Sequence, residues 1–376
     1  MKQLTRLWMF LVIFFAFVLG IQWIRANKDA TVSRKIYSIF EGNNQGSKPL
    51  INKEEFEEIT KKAEEEIIQV KEIDYEVVKP NELGHIMVVM YHGLTEETSK
   101  NVYRRKIEDF KNDLKYFHEN DYVLTPMSEF VSGKINVPAG KTPIVLTFDD
   151  GLNTAFTMEE VDGELKVKED TAVDIINKFA EENEGFRKAC MFYVNGDNNP
   201  FQGVGEVKDR FEYLVANGYE VSNHTYSHAD LETLNAEDVQ KEIGLVDKMI
   251  KDNLGEDYAV NTLSLPFGKR PVEENKKYIL NGSNEGHEFS YKIAFRAGPS
   301  APYRPYYHIG YDDLNAPRAR GNSTEDGDLG YYLKYYEKHP EKRYISDGNP
   351  NRLSIPEGYE EYLNVDKLKD IEIYTY

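Results

Sequence analysis

Two short stretches carry side chains able to do metal chemistry. Thr147-Phe148-Asp149-Asp150-Gly151 sets two carboxylates side by side, and His224-Thr225-Tyr226-Ser227-His228 spaces two imidazoles four residues apart. Imidazole and carboxylate together hold Zn2+ with a position left open for water and substrate. The same donors suit Co2+, Fe2+ and Mn2+, so the set names a divalent cation without choosing one. Neighbouring residues at a strand end point in different directions. One acid can then face the cation and the other a water, which is the division of labour of a hydrolytic metal site. Alone, Asp-Asp-Gly is an ordinary solvated turn, and a lone His pair is as readily a hydrogen-bonded core feature; their joint occurrence, each after a strand-like run, points to a site. On a helical turn the i, i+4 spacing would place both imidazoles on one face, about 5–6 Å apart at Cβ.

The run Ile144-Val145-Leu146 before the acids, bounded by Pro143 and Gly151, reads as a buried strand of a parallel sheet. Before the histidines, residues 213–221 read as a helix end, a cap at Gly218 and a short strand. Barrels and open α/β sheets bind ligands at the carboxyl ends of their strands, where both halves of the site fall. A hairpin is predicted over about residues 156–168, alternating around Asp162-Gly163 and overhanging the acids. Upstream, residues 26–83 read as a polar stalk. Within it Phe56, Ile59, Ala63, Ile67 and Val70 form one stripe of an amphipathic helix, which serves as a spacer or packs on another surface.

At the amino end, Lys2 and Arg6 precede an apolar run over residues 7–24, long enough at about 27 Å to cross a bilayer core. The flanking charge favours the amino end inside. Trp23 and Arg25 read as an interfacial end rather than a cleavage site, so residues 1–25 are expected to form a signal anchor, with a cleaved signal peptide as the alternative. Either way the remainder is expected outside the cytoplasm, anchored or secreted. Residues 84–376 then make one catalytic domain with an extension from about 321.

The acidic pair in its Thr-Phe-Asp-Asp-Gly setting and the run Asn223-His224-Thr225-Tyr226-Ser227-His228 resemble the first two motifs of the polysaccharide deacetylases, the NodB-homology carbohydrate esterases of family 4. The resemblance extends over roughly residues 84–317, taking in Met90-Tyr91-His92-Gly93 and Cys190-Met191-Phe192-Tyr193-Val194. It implies an α/β fold, a distorted (β/α) barrel, and removal of acetyl groups from N- or O-acetylated sugars. It implies further that Asp150, His224 and His228 hold the metal and that Asp149 is the general base. The family's third motif falls on Ser264-Leu265-Pro266-Phe267-Gly268, whose Phe267 N–H is the expected oxyanion donor, while the motif's arginine is missing. Lys269, Arg270 and Arg296 are candidates to replace it. The general acid, a histidine on a late strand in the family, falls to His308, with His287 as the other candidate after the third motif; His92 and Arg318 are expected near the site.

Composition narrows the partners. A formal net charge of -19 argues against nucleic acid and anionic lipid, and against a polyanionic substrate unless the site differs locally. The single Cys190 excludes an intrachain disulfide, and its apolar strand marks it as a packing residue. With 26 Tyr and 19 Phe, some aromatic faces are expected to meet sugar rings, Tyr303, Tyr306 and Tyr307 among the candidates. The expected activity is deacetylation of an N-acetylated cell-wall or extracellular polysaccharide. An O-acetyl esterase and a catalytically weak glycan-binding protein are the alternatives. The membrane is an expected partner through the amino-terminal helix, and the oligomeric state is open.

Overall fold

The computed structural model describes residues 73–298 and 303–376. The anchor expected over residues 1–25 and the amphipathic stripe between residues 56 and 70 lie outside the described residues. Among the described residues no helix is long and apolar enough to cross a membrane. In chain order the elements begin α1 (Tyr75–Val78), β1 (Met87–Tyr91), β2 (Gly93–Thr95), β3 (Arg104–Lys106), α2 (Ile107–Glu119), β4 (Tyr122–Leu124), α3 (Met127–Ser132) and β5 (Thr142–Phe148). The middle of the chain forms β6 (Met158–Val161), β7 (Glu164–Val167), α4 (Ala172–Glu182), β8 (Met191–Val194), α5 (Val207–Ala216), β9 (Glu220–Asn223) and α6 (Ala236–Leu254). There follow β10 (Thr262–Ser264), β11 (Asn281–Asn284), β12 (His287–Ser290), β13 (Ile293–Phe295), β14 (Ala319–Arg320), α7 (Leu329–Lys338), β15 (Arg352–Ile355) and β16 (Glu372–Thr375).

The main sheet runs β13-β10-β9-β8-β5-β1-β14, with β4 on β5, and every pairing in it is parallel. Its central strand β5 is buried along its whole length, as expected of a run apolar on both faces. Pro143 is tolerated because pairing with β1 starts only at Ile144, beyond the residue that lacks an N–H. Alternation divides the side chains between two packing layers. Met87, Val89 and Tyr91 of β1 join Ile144, Leu146 and Phe148 of β5 against Phe110, Leu114 and Phe117 of α2. Ile86, Val88, Val145, Tyr193 and Phe295 form the other layer, closed at one end by Met127, Phe130 and Val131 of α3.

The sheet curls until one segment meets both of its edges. Ala316 bridges Phe295 beside β13, and three residues later Ala319 pairs with Val89 of β1. The result is a curled parallel sheet clad in helices, in keeping with the distorted barrel expected from the sequence. The predicted hairpin is present as β6–β7. Asp162 and Gly163 both take positive φ, 56° and 78°, the turn that matches strand twist.

The boundary at residue 83 is corrected. Residues 73–83, assigned to the stalk on polarity, belong to the folded unit that begins at Ile73. Tyr75 packs on Tyr374 and Tyr376, Asn81 bridges Ile345, and Glu82 is buried against the carboxyl-terminal extension. These partners lie some 260 to 300 positions away, so no local pattern announces the contact.

Candidate active site

The inward row of β5 reads Val145, Thr147, Asp149: an apolar residue, a hydroxyl, then an acid where the strand ends. The same parity on neighbouring strands turns Tyr193, Ser222, Thr262 and Ser264 inward, so the upper barrel is polar and hydrogen-bonded. Tyr193 OH donates to Thr262 Oγ1 at 2.9 Å, and Ser222 Oγ to the Thr262 carbonyl at 2.5 Å. Asp149 sits on top of this layer and is 1% exposed. Arg318, wholly buried, grips it with both arms, Nη1 to Oδ1 at 2.7 Å and Nη2 to Oδ2 at 2.6 Å. Ser264 Oγ adds a third hydrogen bond to Oδ2 at 2.9 Å. The guanidinium also donates to Thr147 Oγ1, Ser264 Oγ and the Arg296 carbonyl, and lies over the Tyr193 ring. Burial would raise the Asp149 pKa, but Arg318 and then His224 overcome it and hold the carboxyl far below its usual range. Asp149 is therefore an anion at neutral pH.

The residue that replaces the missing motif arginine is thus Arg318, on the segment that closes the sheet. Lys269 is bound instead to Asp230 and Glu232, and Arg296 contributes its carbonyl. Ser264, at the motif's arginine position, keeps a bond to the same carboxylate. In the sequence Arg318 was marked only as a residue expected near the site, in the segment 312–320 that resembles a late substrate-side loop of the family. Its partner is 169 residues away.

Asp150, His224 and His228 each offer one donor atom within 4.8 Å of the others. His224 Nε2 lies 3.3 Å and His228 Nε2 3.6 Å from Asp150 Oδ1. That oxygen is buried and has no hydrogen-bond partner among the described residues. An orphaned carboxylate oxygen between two imidazole nitrogens is costly unless a cation joins them, so the residues fit a divalent metal. His224 Nδ1 meets the Ser264 carbonyl at 2.8 Å, which places the proton on Nδ1 and leaves Nε2 as the donor.

The expected helical turn is absent. Residues 224–228 form a loop in which Thr225 and His228 take φ of 66° and 53°, and Asp150 across from them takes 72°. Three non-glycine residues in the left-handed region at one site is stored strain, and it is what aims the donors together. The loop is tied down by Asn195 Nδ2, which donates to the carbonyls of His224 and Thr225 at 2.7 and 3.1 Å. Ser227 N–H and Oγ both donate to Glu242 on α6 at 2.8 Å.

The structure rearranges the remaining assignments. Phe267 does reach the site: its ring meets His228 edge-on at 4.6 Å between centroids, and it too is left-handed, φ 56°. His308 does not. It stacks on Tyr362, its Nδ1 accepts from the Gly310 N–H at 2.8 Å, and it bridges Leu363 of the carboxyl-terminal extension. The assignment of His308 as general acid is therefore corrected: a late position in the chain does not put a residue at the barrel mouth. His287 is bound to Asp247 on α6. His92, at the end of β1, is close enough to Asp149, Asp150, His224 and Arg318 to feel their charges, and packs on Tyr103. Its Nδ1 is buried with no partner among the described residues. Burial lowers its pKa despite the two aspartates, so it is neutral at pH 7. Tyr303 and Tyr307 are buried in packing clusters, which withdraws them as sugar platforms.

Residues 136–284 match the family model described as polysaccharide deacetylase. A chitooligosaccharide deacetylase of Sinorhizobium fredii is 29% identical over 132 residues, which span 34% of this chain and 48% of that protein. The chain therefore spans about half the length of the curated relative it matches. Among solved structures it is similar to a Streptococcus pyogenes deacetylase in complex with acetate, at 14% identity over 67% of this chain and 98% of that one, TM-score 0.49. A putative polysaccharide deacetylase of Bacillus anthracis matches at 19% identity over 67% and 69% of the two chains, TM-score 0.47. A Bacillus cereus polysaccharide deacetylase matches at 20% identity over the same shares, again with TM-score 0.47. Asp149, Asp150, His224, His228 and Phe267 all lie inside the stretch that matches the polysaccharide deacetylase model.

Proposed function

We propose that the protein is a metal-dependent hydrolase that removes acetyl groups from N-acetylated sugars of a cell-wall or extracellular polysaccharide. The observation that carries the reading is the pairing of an orphaned Asp150 oxygen between two imidazoles with an Asp149 clamped as an anion next to it. Asp150, His224 and His228 would hold the cation. A divalent cation held by such donors acts as a Lewis acid, acidifying water and polarising an acyl oxygen.

The chain's own residues divide the rest. Asp149 Oδ1, which accepts one hydrogen bond against two at Oδ2, takes the proton of the attacking water, and Arg318 keeps the carboxylate aimed and ionised until it does. In the turn at Phe267, Pro266 has no N–H and those of Leu265, Gly268 and Lys269 are bonded to carbonyls, so the Phe267 N–H is the donor for the developing oxyanion. His92 takes the place of the general acid. It lies near both aspartates and outside the ligand set, and, being neutral at pH 7, it takes up a proton before passing one to the leaving nitrogen. The apolar run over residues 7–24 supports a location outside the cytoplasm, where such polymers are met.

Acetate release from N-acetylated chitooligosaccharide, measured with and without added Zn2+, tests this reading, with acetylated xylan as the O-ester arm. Free amine appearing only with metal and only in the first arm supports it; release from xylan alone moves the assignment to an O-acetyl esterase. His92→Ala should lower turnover on the amide by ~10²–10⁴-fold. It should lower turnover far less on an aryl acetate, whose leaving group needs no proton; equal losses on both would remove His92 from the mechanism.

A further inference from the structure

The loop that carries the histidines is held from behind by hydrogen bonds running through the core towards the surface. Asp247, on the buried face of α6, is fully enclosed. Its carboxylate accepts from Lys251 Nζ at 2.7 Å, His287 Nε2 at 2.8 Å and Tyr291 OH at 2.9 Å. An ionised carboxylate only accepts, so the tyrosine hydroxyl must donate to it and has its lone pairs left for another partner. That partner is Asn223 Nδ2 at 2.8 Å, which also donates to the Ile243 carbonyl at 2.8 Å. With the amide nitrogen committed, Asn223 Oδ1 faces the other way and accepts the backbone N–H of Thr225 at 2.7 Å.

Thr225 stands between Asp149's neighbour His224 and the second imidazole, at φ 66°. A β-branched residue avoids that conformation unless its surroundings over-determine it. Every donor and acceptor from Asp247 to Thr225 N–H is satisfied by the next, and Asn223, Asp247 and Tyr291 are all buried. A chain of this kind leaves the asparagine one orientation.

We propose that Asp247, Tyr291 and Asn223 are positioning residues for the metal ligands: they hold the left-handed turn at Thr225 that aims His224 and His228 at one point, and so set the affinity of the site for its cation. This rests on the reading of Asp150, His224 and His228 as ligands and carries it from the loop back to helix α6. It also gives a role to His287, a histidine that lies away from the reacting groups. Groups that orient metal ligands commonly account for a 10–100-fold difference in affinity.

Tyr291→Phe in the full chain tests it, since it keeps the ring and removes the central hydroxyl. Two readouts are taken: Zn2+ affinity by chelator competition, and hydrogen exchange of the Thr225 amide. We expect a Zn2+ dissociation constant about tenfold weaker or more, with Thr225 exchange accelerated while β5 amides keep their rates. A folded Tyr291→Phe chain with unchanged Zn2+ affinity and unchanged Thr225 exchange overturns the proposal, as does acceleration spread evenly over the whole sheet, which marks a merely structural role. Should that variant fail to fold, Asp247→Asn is measured in the same way with the same two outcomes. A wild-type chain that binds no divalent cation refutes the ligand assignment, and Thr225 exchange then decides separately whether the relay holds the turn.

Discussion

Asp149 and Glu82 are both 1% exposed, yet burial has opposite results in the two places. Asp149 faces a guanidinium with both its oxygens and stays ionised. Glu82 sits where residues 73–83 meet the carboxyl-terminal extension, and among the described residues no cation is bound to it. Its oxygens accept from the N–H groups of Asp347 and Ser354, and burial followed by the nearby Asp347 carboxylate pushes its pKa up to about 8. The difference teaches that enclosure alone does not make a base or an acid. The partner decides which protonation state the fold is built around. In the barrel mouth that state is an anion available for proton transfer; at the seam it is a neutral carboxyl that fastens two distant pieces of chain.

The largest effect should come from removing the partner at the mouth. Arg318→Met leaves Asp149 buried without its cation, and denaturant unfolding should show a loss of about 3–5 kcal/mol. Acetate release should fall at least ~10²-fold even where the variant is folded. A folded Arg318→Met chain of undiminished activity would break the contrast. Asp149→Asn is the companion change: it should abolish turnover while zinc content, which the proposed ligand set assigns to Asp150 and the two histidines, stays as it was.

The seam predicts a pH slope of defined sign. Glu82 has a folded-state pKa above its unfolded one, so the folded chain binds the extra proton between about pH 4.5 and about pH 8. Its stabilising contribution is complete below the unfolded value and is lost as pH rises through about 8. Wild-type Tm should therefore fall by several degrees from about pH 5 to pH 8, and Glu82→Gln should flatten this slope. Asp149 runs the other way, because its folded pKa is depressed: its contribution is present above the unfolded value near 3.9 and lost as pH falls below it. Identical pH profiles for Glu82→Gln and wild type would show that the seam carboxyl is charged after all. The smallest effect is expected at His308, which lies against Tyr362 and away from the ligands. His308→Ala should leave acetate release within about twofold and cost roughly 1–2 kcal/mol of stability.

How much of this was legible follows the distance over which each feature is determined. The strand ending in Asp149-Asp150, the paired histidines, the Asp162-Gly163 hairpin and the buried Cys190 are all set by runs of a few residues, and the structure contains each of them. The helical turn read into residues 224–228 failed because an i, i+4 spacing is equally served by a loop once Asn223 and Asn195 hold left-handed residues in place. Phe267 was found through its motif, whereas His308 was chosen for its lateness in the chain, which carries no spatial information. The assignment of residues 73–83 to a stalk failed for a related reason: they are polar, and their partners lie at the far end of the chain.

Residue types and short spacings were therefore enough to place two acids at the end of a buried parallel strand and to single out the imidazoles that meet one of them. Which cation partners Asp149 was a different kind of fact. Arg318 reaches Asp149 only because the curl of the sheet brings the segment around Ala316 and Ala319 across from β13 to β1, with the residue between them turned inward by alternation. Local pattern records how a segment buries itself against its neighbours, whereas the closure of a barrel depends on the twist accumulated over all its strands. For that reason the candidate metal ligands could be read from the chain, and the group that keeps Asp149 ionised could be seen only once the chain was folded.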